Sequence, residues 1–175
     1  IVQQRRCVCH ACSQSQPLRA YSRAMRNPQP DSFQIRPATV GDVDAMFQVR
    51  LAVTENSMTS AELAAAGITP ASIAEAIRSA PCAWVATIDG EVAGFAMVDL
   101  RSACLFALFV RSGCEGRGLG TALCRAGEQA LLAQHEAAWL ETATTSRAAR
   151  LYRHLGWGDE RDVGDGDIRL TKRRA

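Results

Sequence analysis

Lysine is almost missing from this chain: Lys172 is the only one among 20 basic residues, and the rest are arginine. The scarcity reads as a compositional bias, but at one place it excludes a function. A mononucleotide P-loop needs a lysine followed by Ser or Thr after its last glycine, and Gly120 is followed directly by Thr121. No apolar run approaches the roughly 20 residues a transmembrane helix requires, so no membrane partner is expected. Residues 1–30 contain no acid and five arginines, which leaves 15 basic against 18 acidic residues in the remainder, a net of −3. That body lacks the basic face nucleic-acid binding demands, and no nucleic-acid partner is expected. A second Cys/His pair is also missing. Cys7, Cys9, His10 and Cys12 form one cluster with no matching ligand pair downstream, so no metal is expected.

What remains is ordinary for a globular domain. The chain has 175 residues, 47% hydrophobic and 22% charged, enough for one domain with a sizeable core. Residues 1–31 are polar and show no helical or alternating apolar pattern, so they read as a disordered or presequence-like extension, and the domain spans 32–175. Cys82, Cys104, Cys114 and Cys124 are scattered through core and loop positions, which suits free thiols in a reducing, cytoplasmic setting.

The patterned body opens with an alternating strand at 33–38. Thr39, with Asp42 three residues on, starts a helix continued by Val43, Met46, Phe47 and Arg50. Residues 56–67 read as a break, and a second helix starts at Thr69-Pro70, a cap followed by proline at the first helical position. Two β-patterned runs, 82–88 and 91–100, flank Asp89-Gly90, a strong hairpin signal, and a third apolar run follows at 103–110. These predict an antiparallel meander. A helix with Leu119, Ala122, Leu123, Ala126 and Ala130 on one face comes next, then a strand at 137–143, a short helix through Leu151 and Tyr152 closed by Gly156, and a strand at 167–172. The fold class is therefore α/β: a meander followed by a βαβ unit in a mixed sheet, with helices on both faces.

The stretch from Arg111 to Arg125, RSGCEGRGLGTALCR, joins the buried third run to the long helix. Unpartnered N–H groups and the helix dipole make such a junction a site for phosphate. Glycines at 116, 118 and 120 remove side chains that would hold an anion away, although they also serve a tight strand-to-helix turn. A dinucleotide fingerprint wants Gly-x-Gly-x-x-Gly, and Gly-x-Gly-x-Gly after the last strand of a meander fits it badly.

Residues 108–123, LFVRSGCEGRGLGTAL, and residues 145–157, TSRAARLYRHLGW, resemble the two motifs of the GNAT superfamily of acetyl-CoA-dependent N-acetyltransferases. Element order agrees from about Phe33 to the C-terminus. The resemblance implies a transferase that moves an acetyl group from acetyl-CoA directly to a primary amine, with no metal. It implies diphosphate binding by backbone amides of Glu115, Gly116, Arg117, Gly118, Leu119, Gly120 and Thr121, and a pantetheine chain along Leu108, Phe109 and Val110. Tyr152 takes the general-acid position, where helical spacing on its own favours core packing. The 103–110 run holds no acid, so Glu55 is the candidate base, with Asp99 and Glu141 behind it. Asn56 and Trp84 are candidates for the acceptor pocket, Trp84 being equally a core residue.

Three positions depart from the family pattern: Ser112, Glu115 and Thr145 stand where proline, Gln or Arg, and Asn are usual. A carboxylate at 115 repels a diphosphate unless it turns away or pairs with Arg111 or Arg117. The rival reading is a non-catalytic acyl-CoA-binding or regulatory module. Small-molecule and peptide amines stay open as acceptors, as does a homodimer.

Overall fold

The computed structural model describes residues 9–10, 32–53 and 57–174. A two-residue strand β1 (Cys9–His10) stands apart from the body, which begins with β2 (Phe33–Pro37), a 3-10 turn (Val40–Asp42) and α1 (Val43–Ala52). Then come α2 (Ser60–Ala65), α3 (Pro70–Ser79), β3 (Ala83–Ile88), β4 (Glu91–Asp99), β5 (Cys104–Val110), α4 (Leu119–Gln134), β6 (Ala137–Ala143), α5 (Arg147–His154), β7 (Gly158–Gly164) and β8 (Asp167–Arg173). The sheet order is β2-β3-β4-β5-β6-β8-β7, with β1 paired to β5 off that path. The meander and the parallel β5/β6 pair give the mixed sheet that the periodicity predicts.

The Asp89-Gly90 turn has φ of 51° and 84°, positive at both positions, as a tight hairpin requires. Thr69 caps α3 through Ser72 N–H at 3.1 Å, with Pro70 at the first helical position. Two elements escape the periodicity. Helix α2 lies inside the stretch read as a break; Thr59 accepts from Glu62 N–H at 3.2 Å while Glu62 accepts from Thr59 N–H at 2.7 Å, a capping box. Strand β7 has six exposed positions of seven, so it carries no apolar alternation; the Asp165-Gly166 turn (φ 55° and 80°) brings it against β8.

Register assigns side chains to the two faces of the sheet, because directly opposed residues share a face. Trp84, Ala96 and Leu108 form one row and Ala86, Gly94 and Val110 another, while Val85, Phe95 and Phe109 form the row between them on the opposite face. The first two rows lie under α4: a Cβ added at Gly94 would meet Leu123 at 3.2 Å, and one added at Gly120 would meet Leu108 and Val110 at 3.9 Å. The third row faces α1. Phe106 is an extra residue in β5 between Leu105 and Ala107, and this bulge turns Leu105 toward α4 as well, where it lies 3.1 Å from a Cβ built on Gly127. Gly94 fits where it does because a Cβ there would stand 2.8 Å from the Phe109 carbonyl oxygen.

Chain entry into α1 is fixed by charge. Arg36 grips Asp42 with both nitrogens at 2.8 and 2.6 Å, and Asp42 also accepts from Thr39 N–H and Oγ1, each at 2.8 Å. The Arg36 guanidinium, with the Thr39 donors, outweighs burial and holds the Asp42 carboxyl well below the usual carboxylate range. A depressed carboxyl stabilises the fold above its unfolded value of about 3.9 and loses that contribution as pH falls toward its folded value. Asp42→Asn is expected to cost about 1 kcal/mol at neutral pH, the size of a lost helix-start cap. The difference between Asp42→Asn and the parent in urea denaturation should stay constant from pH 7 to pH 5 and shrink steadily below pH 4.

Candidate functional site

Strands β5 and β6 run parallel but share one register pair, Cys104 with Trp139, and diverge beyond it. The start is pinned by Trp139 N–H to the Ala103 carbonyl at 2.9 Å and by the Trp139 indole to the Ser102 carbonyl at 2.7 Å. Past that point β5 presents an edge toward α5, and β1 lies against it, Cys9 opposite Leu108 and His10 opposite Phe109.

At the open end the chain bends into α4. Gly113, Gly116 and Gly118 have φ of 85°, 74° and 89°, a conformation costly for any residue with a side chain. Gly118 is the N-cap of α4, so the N–H groups of Leu119, Gly120 and Thr121 have no intrahelical acceptor. Gly120 differs from its neighbours: its backbone is helical, and an added Cβ would sit 3.4 Å from Leu151. Neither the bend nor the packing therefore requires glycine at 120, since an added Cβ would make ordinary contacts with Leu151, Leu108 and Val110.

These elements enclose a cavity of about 300 Å³ lined by Leu108, Val110, Cys114, Glu115, Gly116, Gly118, Leu119, Gly120, Thr121, Arg147, Ala148 and Leu151. Eight of the ten residues proposed from sequence for the donor site thus line one space. Phe109 does not, because its ring turns to the α1 face, and Arg117 does not line it either. Cys114, Arg147, Ala148 and Leu151 were not anticipated there, although the helical spacing of Ala148 and Leu151 was the available signal. Ser146 caps α5 through Ala149 N–H at 3.0 Å, which sets these side chains at the cavity wall. The Glu115 carboxylate accepts from Gly113 N–H at 2.6 Å, so its charge is engaged by the turn itself.

Tyr152 is 2% exposed on α5, one residue from Leu151, with its ring centroid 6.1 Å from that of Trp157. Trp84 shares the α4 face with Leu108 and packs half-buried against the core. Glu55 and Asn56 lie outside the described residues. Asp99 sits at the β4–β5 turn, at the opposite end of β5 from the glycine bend; burial raises its carboxyl, but bonds from the Ser102 hydroxyl and the Arg101 and Ser102 amides outweigh this and leave it lowered. Glu141 is held by Arg169 at 2.7 Å, and that guanidinium stacks 4.0 Å from the Trp139 ring centroid. Neither acid faces the cavity. Among the described residues no cluster of His, Cys, Asp and Glu could hold a metal ion, and no helix is long and apolar enough to cross a membrane.

Residues 51–157 match the sequence model of the acetyltransferase (GNAT) family. No curated protein matches the chain. Among solved structures, it is similar to the PaiA N-acetyltransferase of Thermoplasma acidophilum in complex with coenzyme A, with TM-score 0.64 and 12% identity over 82% of this chain and 99% of that one. Ard1 from Thermoplasma volcanium gives TM-score 0.64 and 18% identity, covering 82% and 98%. The ribosomal-protein-S18-alanine N-acetyltransferase of Escherichia coli gives 0.61 and 22%, covering 81% and 94%. At these identities the likeness concerns the fold.

The two kinds of glycine separate by substitution. Gly118→Ala is expected to lower stability by about 1–2 kcal/mol in chemical denaturation, the cost of a left-handed residue with a side chain. Gly120→Ala is expected to leave stability unchanged or raise it by up to about 1 kcal/mol, while its Cβ narrows the cavity.

Proposed function

The chain belongs to the acetyltransferase (GNAT) family, and from that premise we propose that it transfers an acetyl group from acetyl-CoA directly to a primary amine. The observation that carries the reading is the cavity at the start of α4, where glycine-freed amides meet the stretch of β5 that β6 does not pair. Three backbone N–H groups with no intrahelical partner, the positive end of a 16-residue helix and two left-handed glycines suit a diphosphate. Gly116 leaves open space where a side chain would stand, with no atom within 4 Å of an added Cβ. The amides from Glu115 to Thr121 would take the diphosphate and the β5 edge at Leu108, Phe109 and Val110 the pantetheine.

In the transfer, the amine nitrogen forms a bond to the thioester carbonyl carbon, negative charge develops on the carbonyl oxygen, and the carbon–sulfur bond then breaks. A β5 amide is suited to steady the oxygen. The departing thiolate needs a proton, and Tyr152 is the proposed donor; it is buried on α5 next to the cavity-lining Leu151 and does not itself line the cavity. The amine gives up its own proton to a base, for which Glu55 is proposed, and Asn56 is proposed to border the acceptor; Trp84, read from sequence as a further acceptor candidate, lies in the row of Leu108 on the donor face and takes the core role instead. No covalent enzyme intermediate and no metal enter the scheme. A non-catalytic acyl-CoA-binding module is the second reading, supported by the absence of an acid facing the cavity from β5.

Calorimetric titration of acetyl-CoA at near-physiological salt, followed by a free-thiol assay with an amine panel, tests the proposal. Thiol release that depends on the amine is expected, and Tyr152→Phe should lower kcat on the order of a hundredfold with donor affinity retained, the size of a lost general acid. Binding without amine-dependent thiol release, unchanged by Tyr152→Phe, selects the binding module; no binding removes both readings.

The strand β1 pairs with the same β5 positions proposed for pantetheine, Leu108 and Phe109. Two occupants of one edge exclude each other, so removal of residues 1–31 is expected to tighten acetyl-CoA binding severalfold with no loss of thermal stability, read by calorimetry and thermal unfolding of the two chains.

A further inference from the structure

Arg50, on α1, is 8% exposed, and its Nη1 is buried without a hydrogen-bond partner. Among the described residues its recorded contact is the ring of Phe109, whose centroid lies 4.8 Å from the guanidinium carbon. Burial lowers its pKa from the ordinary arginine value, yet a guanidinium stays charged in proteins. A ring face returns only part of the hydration that Nη1 has lost, and among the described residues no carboxylate is recorded against it. Other arginines of this fold are answered: Arg36 by Asp42, Arg169 by Glu141 and Arg153 by Glu160.

Arg50 lies across β5 from the donor cavity. Phe109 turns its ring to α1, whereas Leu108 and Val110, its neighbours in β5, turn to α4 and line the donor cavity. Arg50 and that cavity therefore lie on opposite faces of one three-residue stretch. Direct transfer needs this division, because the amine must reach the carbonyl from a side the donor does not fill. We infer that Arg50 binds a carboxylate of the acceptor, and that the acceptor is an amine that also carries a carboxylate, an amino acid being the simplest case. The inference rests on the acetyltransfer reading above and names the acceptor class that reading leaves open. A carboxylate at the unpartnered Nη1 would accept a charge-assisted hydrogen bond, and the amine of the same molecule would be presented to β5 at fixed reach.

The experiment compares free amino acids with their carboxamides and with the matching decarboxylated amines as acceptors. In the parent chain, kcat/KM is expected to favour the carboxylates by on the order of tenfold to a hundredfold, the worth of one charged hydrogen bond. Arg50→Gln should erase the preference mainly through KM, Arg50→Lys should keep part of it, and acetyl-CoA affinity by calorimetry should not change. Amino acids should raise the Tm of the parent chain and not that of Arg50→Gln. Arg50→Met, which replaces an unpaired cation by an apolar chain, should match or exceed the parent in Tm without ligand. Equal use of carboxamides, or a preference that survives in Arg50→Gln, overturns the inference while leaving acetyltransfer intact. A Tm shift by amino acids that depends on Arg50, without any thiol release, leaves the carboxylate site standing and removes acetyltransfer. A large fall in Tm in Arg50→Met, with no carboxylate preference in the parent, assigns Arg50 to packing and also overturns it.

Discussion

The structure turns on a bond pattern that is not completed: two parallel strands that begin as neighbours and then part. A strand edge inside a fold needs hydrogen-bond partners, and from Leu108 onward β6 does not supply them to β5. The opening persists because its far wall is tied independently. The indole of Trp157 donates to Glu128 on α4 at 3.1 Å, and Lys172 on β8 donates to the Leu155 carbonyl at the end of α5 at 2.6 Å, with Glu128 at 3.7 Å. The chain's only lysine thus joins β8, α5 and α4 around a shared carboxylate. Those polar ties hold α5 in place without β6 and β5 having to close, and the cavity at the start of α4 is the space left over.

Much of this was legible in the sequence, for reasons that differ by element. The meander shows because its Asp89-Gly90 turn and its β-patterned runs agree. Helix α4 shows because its apolar stripe meets the sheet along its length. By contrast β7 buries nothing, so no periodicity marks it, and only the Asp165-Gly166 turn betrays the hairpin. Helix α2 is six residues long, too short for a stripe, and its single buried residue is Leu63. The bulge at Phe106 lies in a run where every residue is apolar, so nothing in the pattern could show which face each one takes. His135, just past the end of α4, is partly buried, and its Nε2 lies 2.6 Å from the Leu100 carbonyl across 35 residues of chain, a contact no local pattern announces.

The site divides in the same way. Glycine positions can be read from sequence because their requirement is local: φ at Gly116 and Gly118 depends on the bend alone. Gly120 is different: its backbone is helical and a Cβ there would only touch Leu151, which arrives from another helix, so what its absence leaves is room at the cavity. Glu115 is the instructive departure. A carboxylate in a proposed diphosphate site looked adverse, yet it bonds to the Gly113 amide in its own turn. That local hydrogen bond, which sequence spacing permits but does not announce, ties the carboxylate to the turn although the residue still lines the cavity.

Arg50 marks the limit of pattern reading. On helical spacing it is one more position of α1, flanked by the buried Val49 and the exposed Leu51, and nothing in the sequence separates it from a solvated arginine. Its significance comes from Phe109, 59 positions later, through the register that turns that ring toward α1. Packing alone gives no reason for a cation here, because an apolar residue of similar length would fill the place without leaving a buried nitrogen unbonded. Compensation by a molecule that visits does explain it. The expense is then carried by the empty protein and recovered only when an anion of the right reach arrives, which makes the unsatisfied group a determinant of specificity: a neutral amine leaves the deficit in place, and a carboxylate-bearing one removes it.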